Sequence, residues 1–143
     1  MRLQPPSQPP SKPPPSSTHA PPRRRWGYDV KGVARNQAKI LFAANNFWGR
    51  TTSAISSSTD PDAYNGFGPY MPGFEVIPYD DVPALERALA ADPNVVAFMV
   101  EPIQGEAGVV VPREGYLAQC HAALKRHNAL LIADEVQVRV SLN

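Results

Sequence analysis

Three short stretches of this 143-residue sequence set chemistry-bearing side chains close together. In Asn45-Asn46-Phe47-Trp48-Gly49-Arg50-Thr51, two adjacent aromatics stand beside a glycine and an arginine. Such a loop could offer a flat ring and a cation to a ligand. The plainer alternative is that Phe47 and Trp48 plug an edge of the fold while Arg50 pairs with a surface acid. A second stretch, Glu101-Pro102-Ile103-Gln104-Gly105-Glu106-Ala107-Gly108, holds two carboxylates. Glu101 ends an apolar run, where a carboxylate is poorly solvated and needs a partner or a raised pKa. Glu106 lies between glycines, where the backbone can turn sharply or approach a ligand. Paired carboxylates suit general acid–base work. The third stretch, Asp134-Glu135-Val136-Gln137, follows the apolar run Ala129–Ala133. Asp134 either caps a following helix or holds a positively charged ring nitrogen through a charge-assisted hydrogen bond.

Each stretch follows a run with strand character. Ala38–Ala43 reads as a buried strand, Phe74–Tyr79 as a short one, and Val95–Glu101 as a continuous apolar strand buried on both faces. Ala129–Ala133 is the last strand. Between them, Asp81 reads as the N-cap of a helix with Pro83 in its first turn and Glu86 favourably near its N-terminus, and Asp92-Pro93 ends it. A second helix runs from about Tyr116 to His127, with Tyr116, Leu117, Cys120 and Leu124 on one face. Thr51–Ser58 could open a helix, and residues 56–73 are rich in turn dipeptides such as Asn65-Gly66 and Pro72-Gly73. Strands alternating with helices predict an α/β fold with a mainly parallel sheet, whose ligand site lies at the carboxyl ends of the strands.

Composition narrows the function classes. No run approaches the roughly 20 apolar residues of a membrane span, so a transmembrane helix is not expected. The net charge of +1 is split: residues 1–25 carry five basic groups and no acid, and the remainder is acidic by four charges. The body therefore offers no broad basic face to nucleic acid. The single cysteine, Cys120, permits neither an intramolecular disulfide nor a thiolate metal site, which suits a reducing compartment. Nine of the seventeen prolines precede Arg23, so residues 1–23 read as a disordered or polyproline II-like arm. That arm could serve an SH3-type domain as a ligand; its proline density forbids the amphipathic helix of a transit peptide.

Taken in order, Phe47–Pro61, Phe67–Asp81, Ala84–Leu89, Val100–Pro112 and Ile132–Gln137 resemble the class III pyridoxal-phosphate-dependent aminotransferases. The Phe47–Pro61 wording is narrower and resembles the ornithine-specific branch. The resemblance covers about Arg25 to Gln137. It implies a partial three-layer sandwich, a fragment of the family's large cofactor-binding domain, over residues 24–137, with a divergent tail at 138–143. It further implies that Phe47 stacks on the cofactor ring, Asp134 pairs with the pyridine nitrogen and Gln137 hydrogen-bonds near the ring's phenolic oxygen. Arg50 would take the substrate α-carboxylate, Glu106 would neutralise a second substrate-binding arginine, and Glu101 would support the site from behind. Ornithine and 2-oxoglutarate are the implied substrates and a homodimer the implied assembly, in the mitochondrial matrix or the cytoplasm.

The sequence also departs from the family pattern. A proline-rich arm stands where the phosphate-cradling loop is expected, and Val138–Asn143 replaces the family's continuation toward its Schiff-base lysine. None of the four lysines (Lys12, Lys31, Lys39, Lys125) occupies a matching context. Since transamination needs that lysine as anchor and as base, these residues alone are expected to show no turnover. A truncated form is therefore expected, with exposed sheet edges that favour aggregation. A non-catalytic piece that associates with a full-length subunit is the alternative.

Overall fold

The computed structural model describes residues 22–138. Most of the proline-rich arm and the tail from Arg139 onward lie outside the described residues. Four strands, β1 (Lys39–Ala43), β2 (Phe74–Ile77), β3 (Val95–Val100) and β4 (Leu130–Ala133), form one parallel sheet in the order β2-β1-β3-β4. Leu41 pairs with Glu75 on one side and Phe98 on the other, and Phe98 pairs with Leu131. The α/β class and parallel sheet expected from the sequence are present.

Both central strands are buried on both faces, which is why they read as unbroken apolar runs. On one face Leu41, Ala43, Phe98 and Val100 pack against helices α4 (Val82–Ala91) and α5 (Tyr116–Arg126) through Leu85, Leu89, Tyr116, Cys120 and Leu124. The other face gathers Ile40, Phe42, Val96, Ala97 and Ile132 under Tyr28, Val33 and Trp48. Helix α4 starts as expected: the Asp81 carboxylate accepts from the Ala84 amide at 2.8 Å, and Pro83 sits where no donor is needed. Helix α5 ends at Arg126, one residue before the expected boundary, and Asn128 turns the chain at φ 49°.

The N-terminal boundary differs from the expectation. Helix α1 covers Pro22–Trp26, so the last two residues assigned to the arm belong to a helix, and a π-helical turn follows at Gly27–Lys31. The segment has no apolar periodicity to announce it. It is fixed instead by long-range docking, with Lys31 Nζ donating to the carbonyls of Val95 (2.6 Å) and His127 (3.1 Å). Gly27 makes that docking possible. A Cβ there would lie 2.3 Å from Val96 Cγ1, on a side chain with no exposed surface. Gly27→Ala is expected to destabilise the fold by about 1–3 kcal/mol through overpacking, read as a lowered urea midpoint. An unchanged midpoint would show that this segment does not pack on β3.

Two further helices are short: α2 (Thr52–Ile55) and α3 (Pro61–Tyr64), the second inside the stretch read as turns alone. Thr51 caps α2 by accepting from the Ala54 amide, and Asp60 caps α3 by accepting from the Asp62 amide. A cap, a proline at the first position and one turn of helix are compatible with turn-rich wording.

Candidate functional site

Because all four strands are parallel, the segments after β1, β3 and β4 leave the sheet at the same edge. The structure brings Phe47, Trp48, Glu101, Glu106, Asp134 and Gln137 to one cavity of about 280 Å³ at that edge. Arg50 lies in a neighbouring depression that shares Phe47 and Glu106 with the first. The site residues expected from the sequence therefore converge at the carboxyl ends of the strands, drawn from three loops.

The two aromatics divide the work. Trp48 is the packing residue. It stacks on Phe42 with centroids 5.5 Å apart, meets Phe74 edge-on, and donates from Nε1 to the hydroxyl of the buried Ser57 at 2.8 Å. Asn46 closes the same loop by donating to the carbonyls of Ala43 and Ser57. Phe47 is left facing outward, with 38% of its surface exposed. For Trp48 the plug reading holds, and for Phe47 it does not. Arg50 is exposed, and no ion pair among the described residues involves it.

Glu101 is the buried carboxylate that its place at a strand end suggested, with 6% exposure. Its Oε1 accepts from the Phe47 amide at 2.9 Å, so this acid positions the exposed ring. Burial pushes its pKa above the usual carboxylate range. The bond from Phe47 partly opposes that shift, and the charges of Asp134 and Glu106 add to it. A raised pKa in the folded state means that folding favours the protonated form. The stability contributed by Glu101 is present at low pH and declines as pH rises through its folded pKa. Glu101→Gln keeps an oxygen for the Phe47 amide and removes the titration. Its stability is expected to hold over the interval above the ordinary carboxylate value where the parent protein loses some. Parallel urea-unfolding curves in the two proteins across that interval would contradict this.

The backbone around Glu101 is held by Tyr79, whose hydroxyl donates to the carbonyls of Glu101 (3.1 Å) and Pro102 (3.2 Å). Burial pushes the Tyr79 pKa up to about 12, so the phenol stays a donor at neutral pH. Asp134 is half-buried. Its amide donates to the Val100 carbonyl at 2.9 Å, and its Oδ1 accepts from the Val136 amide at 3.1 Å. It therefore caps a turn with one oxygen while the residue lines the cavity. Gln137 lies against Gly105, where a Cβ would come 2.8 Å from its Cγ. Sequence reasoning missed Tyr79 and the Trp48–Ser57–Asn46 network, because a strand-end tyrosine and a serine in a run of serines carry no spacing signal.

A flat cationic ring suits this lining. It combines an outward aromatic face with Glu101, Glu106 and Asp134, none of which is in an ion pair among the described residues. The side chains around this cavity include no lysine or arginine, so a phosphate on such a ring would be met by other groups. Among the described residues no group of His, Cys, Asp and Glu could hold a metal ion.

The class III aminotransferase family model matches residues 23–141, and the chain belongs to that family, whose members depend on pyridoxal phosphate. Within it, the chain is similar to ornithine aminotransferases. It is 68% identical to the mitochondrial ornithine aminotransferase of Rattus norvegicus over 114 residues, which are 80% of this chain and 26% of the rat enzyme. Over the same length it is 65% identical to the Drosophila melanogaster enzyme. In structure it superposes on the ornithine aminotransferase of Toxoplasma gondii with a TM-score of 0.79 at 57% identity, over 81% of this chain and 27% of that one. The chain thus spans about a quarter of the length of the curated relatives it matches.

Proposed function

We propose that these residues form the ring-binding part of an enzyme that transfers the δ-amino group of ornithine to 2-oxoglutarate, giving glutamate semialdehyde and glutamate. The observation that carries the proposal is the convergence of Phe47, Asp134, Gln137 and Glu106 on one cavity, together with 68% identity to an ornithine aminotransferase. Pyridoxal phosphate, when bound, supplies a pyridinium ring that withdraws electrons from the substrate carbon. Phe47 would hold that ring by its face, and Asp134 would keep a proton on the ring nitrogen, since a carboxylate favours the charged form of a neighbouring base. Gln137 would hydrogen-bond beside the phenolic oxygen. Arg50, exposed at the rim, would bind the α-carboxylate of ornithine, bidentate pairing being the strength of a guanidinium. Glu106, on a glycine-flanked loop, would neutralise a substrate-binding arginine from elsewhere in the protein while ornithine is bound. The covalent anchor and the proton-transfer base belong to a lysine in a context that none of the four lysines here matches.

A homodimer in the mitochondrial matrix or the cytoplasm fits this reading. The rat and Drosophila relatives are named mitochondrial, and no described helix is long and apolar enough to cross a membrane.

A chimera tests the assignment. The 114 matched residues replace their counterparts in the rat enzyme. The expected result is a cofactor-loaded protein that forms glutamate from ornithine and 2-oxoglutarate. A loaded chimera that accepts another amine and refuses ornithine would overturn the substrate assignment. A folded chimera that takes up no cofactor would overturn the cofactor assignment.

A further inference from the structure

Gln104 is among the largest fully buried side chains, at 1% exposure, yet it is polar and stands next to the cavity rather than in it. A hydrophobic residue of similar length would fill the slot without the cost of desolvating an amide. What the amide does is specific. Its Nε2 donates to the Ala44 carbonyl at 2.7 Å, directly after β1 and three residues before Phe47. A carbonyl only accepts, so the amide nitrogen must be the atom facing it. The Gln104 backbone makes a second pair of bonds. Its amide donates to the Val110 carbonyl at 3.0 Å and its carbonyl accepts from the Val110 amide at 2.9 Å. That bridge closes the base of the Gly105–Val109 loop, which carries Glu106. The one buried side chain thus links the loop that presents Phe47 and Arg50 to the loop that presents Glu106. Gln104 Oε1 has no partner, so the link to the first loop rests on one donor.

We infer that Gln104 is a positioning residue that locks the Phe47–Arg50 loop to the Glu106 loop, so that the two open and close as one unit. The link to transamination rests on the function proposed above; the mechanical coupling does not. With both loops locked, Arg50 and Glu106 keep a fixed separation across the shared rim, so the cation that would take the substrate carboxylate and the acid that would neutralise the second arginine stay in register.

Amide hydrogen exchange, read by NMR, tests the coupling in the chain itself. In the parent chain the Phe47 and Val110 amides, each hydrogen-bonded, are expected to share one opening free energy and one urea dependence. Gln104→Met keeps the volume and deletes the donor. It is expected to accelerate exchange at both amides together by about tenfold or more, while Leu41 and Phe98 at the sheet centre stay protected. Gln104→Asn, polar but too short to reach, is expected to give the same pattern. Unequal opening energies in the parent chain would overturn the inference, as would acceleration in one loop only or uniform acceleration through the sheet. The parent measurement can overturn joint opening by itself, whether or not either variant folds. Titration of the same samples with pyridoxamine 5′-phosphate keeps the two claims distinct. Joint opening without ligand binding would support the coupling and count against the cofactor reading.

Discussion

Asp134→Asn is expected to weaken binding of the cofactor ring by roughly 30- to 150-fold, the equivalent of about 2–3 kcal/mol for a hydrogen bond to a charged group. The substitution is chosen because asparagine retains an oxygen for the Val136 amide, so the local turn survives and only the charge is lost. Asp134 is half-buried at the end of β4, beside Glu101 and Glu106 in the same cavity. A cation at that point is favoured by all three carboxylates and by the limited access of water. Equilibrium titration with pyridoxamine 5′-phosphate measures the effect, because that ligand has no aldehyde to react with surface lysines. Equal affinity in the two proteins would show that Asp134 acts only as a turn cap.

Phe98→Ala should cost the most stability, about 3–5 kcal/mol for deletion of a fully buried phenyl ring. The side chain has no exposed surface and lies in the middle of β3, flanked by Leu41 of β1 and Leu131 of β4. It fills the layer between the sheet and helices α4 and α5. A domain of this size has a total stability of about 5–15 kcal/mol, so the variant should be largely unfolded at modest urea concentration. A urea midpoint within a few tenths of a molar of the parent would mean that β3 is not the centre of the core.

Much of this fold was legible in the sequence because its strands and two longer helices obey local rules. Val95–Val100 is apolar throughout since both of its faces are covered, and Asp81 with Pro83 marks the start of α4 through capping chemistry. What stayed hidden depends on contacts distant in the chain. Helix α1 and the π-helical turn after it are held by Lys31 reaching 64 and 96 residues along the sequence, and no window of neighbouring residues encodes that. The site divides in the same way. Phe47, Glu101 and Asp134 could be singled out because each follows a strand, and parallel strands place such residues at one edge. The division of Phe47 from Trp48 could not, since two adjacent aromatics look alike until Ser57 and Phe42 are seen to take one of them. Gln104 stood within a legible motif, but its role appears only once its amide is seen to reach Ala44, 60 positions away.

The most direct measurement of the proposed ring site is a double-substitution cycle on affinity, with Trp48 fluorescence as the signal in a Trp26→Phe background. Two ligands are compared, pyridoxamine 5′-phosphate and its analogue with carbon in place of the ring nitrogen. Each is titrated into the parent chain and into Asp134→Asn. Such a cycle isolates the interaction between one protein group and one ligand atom. The expected result is that the parent binds the nitrogen-containing ligand roughly 30- to 150-fold more tightly than its analogue, and that this preference largely vanishes in Asp134→Asn. An equal preference in both proteins, or no saturable binding of either ligand to the parent, would contradict the assignment of Asp134 to the ring nitrogen.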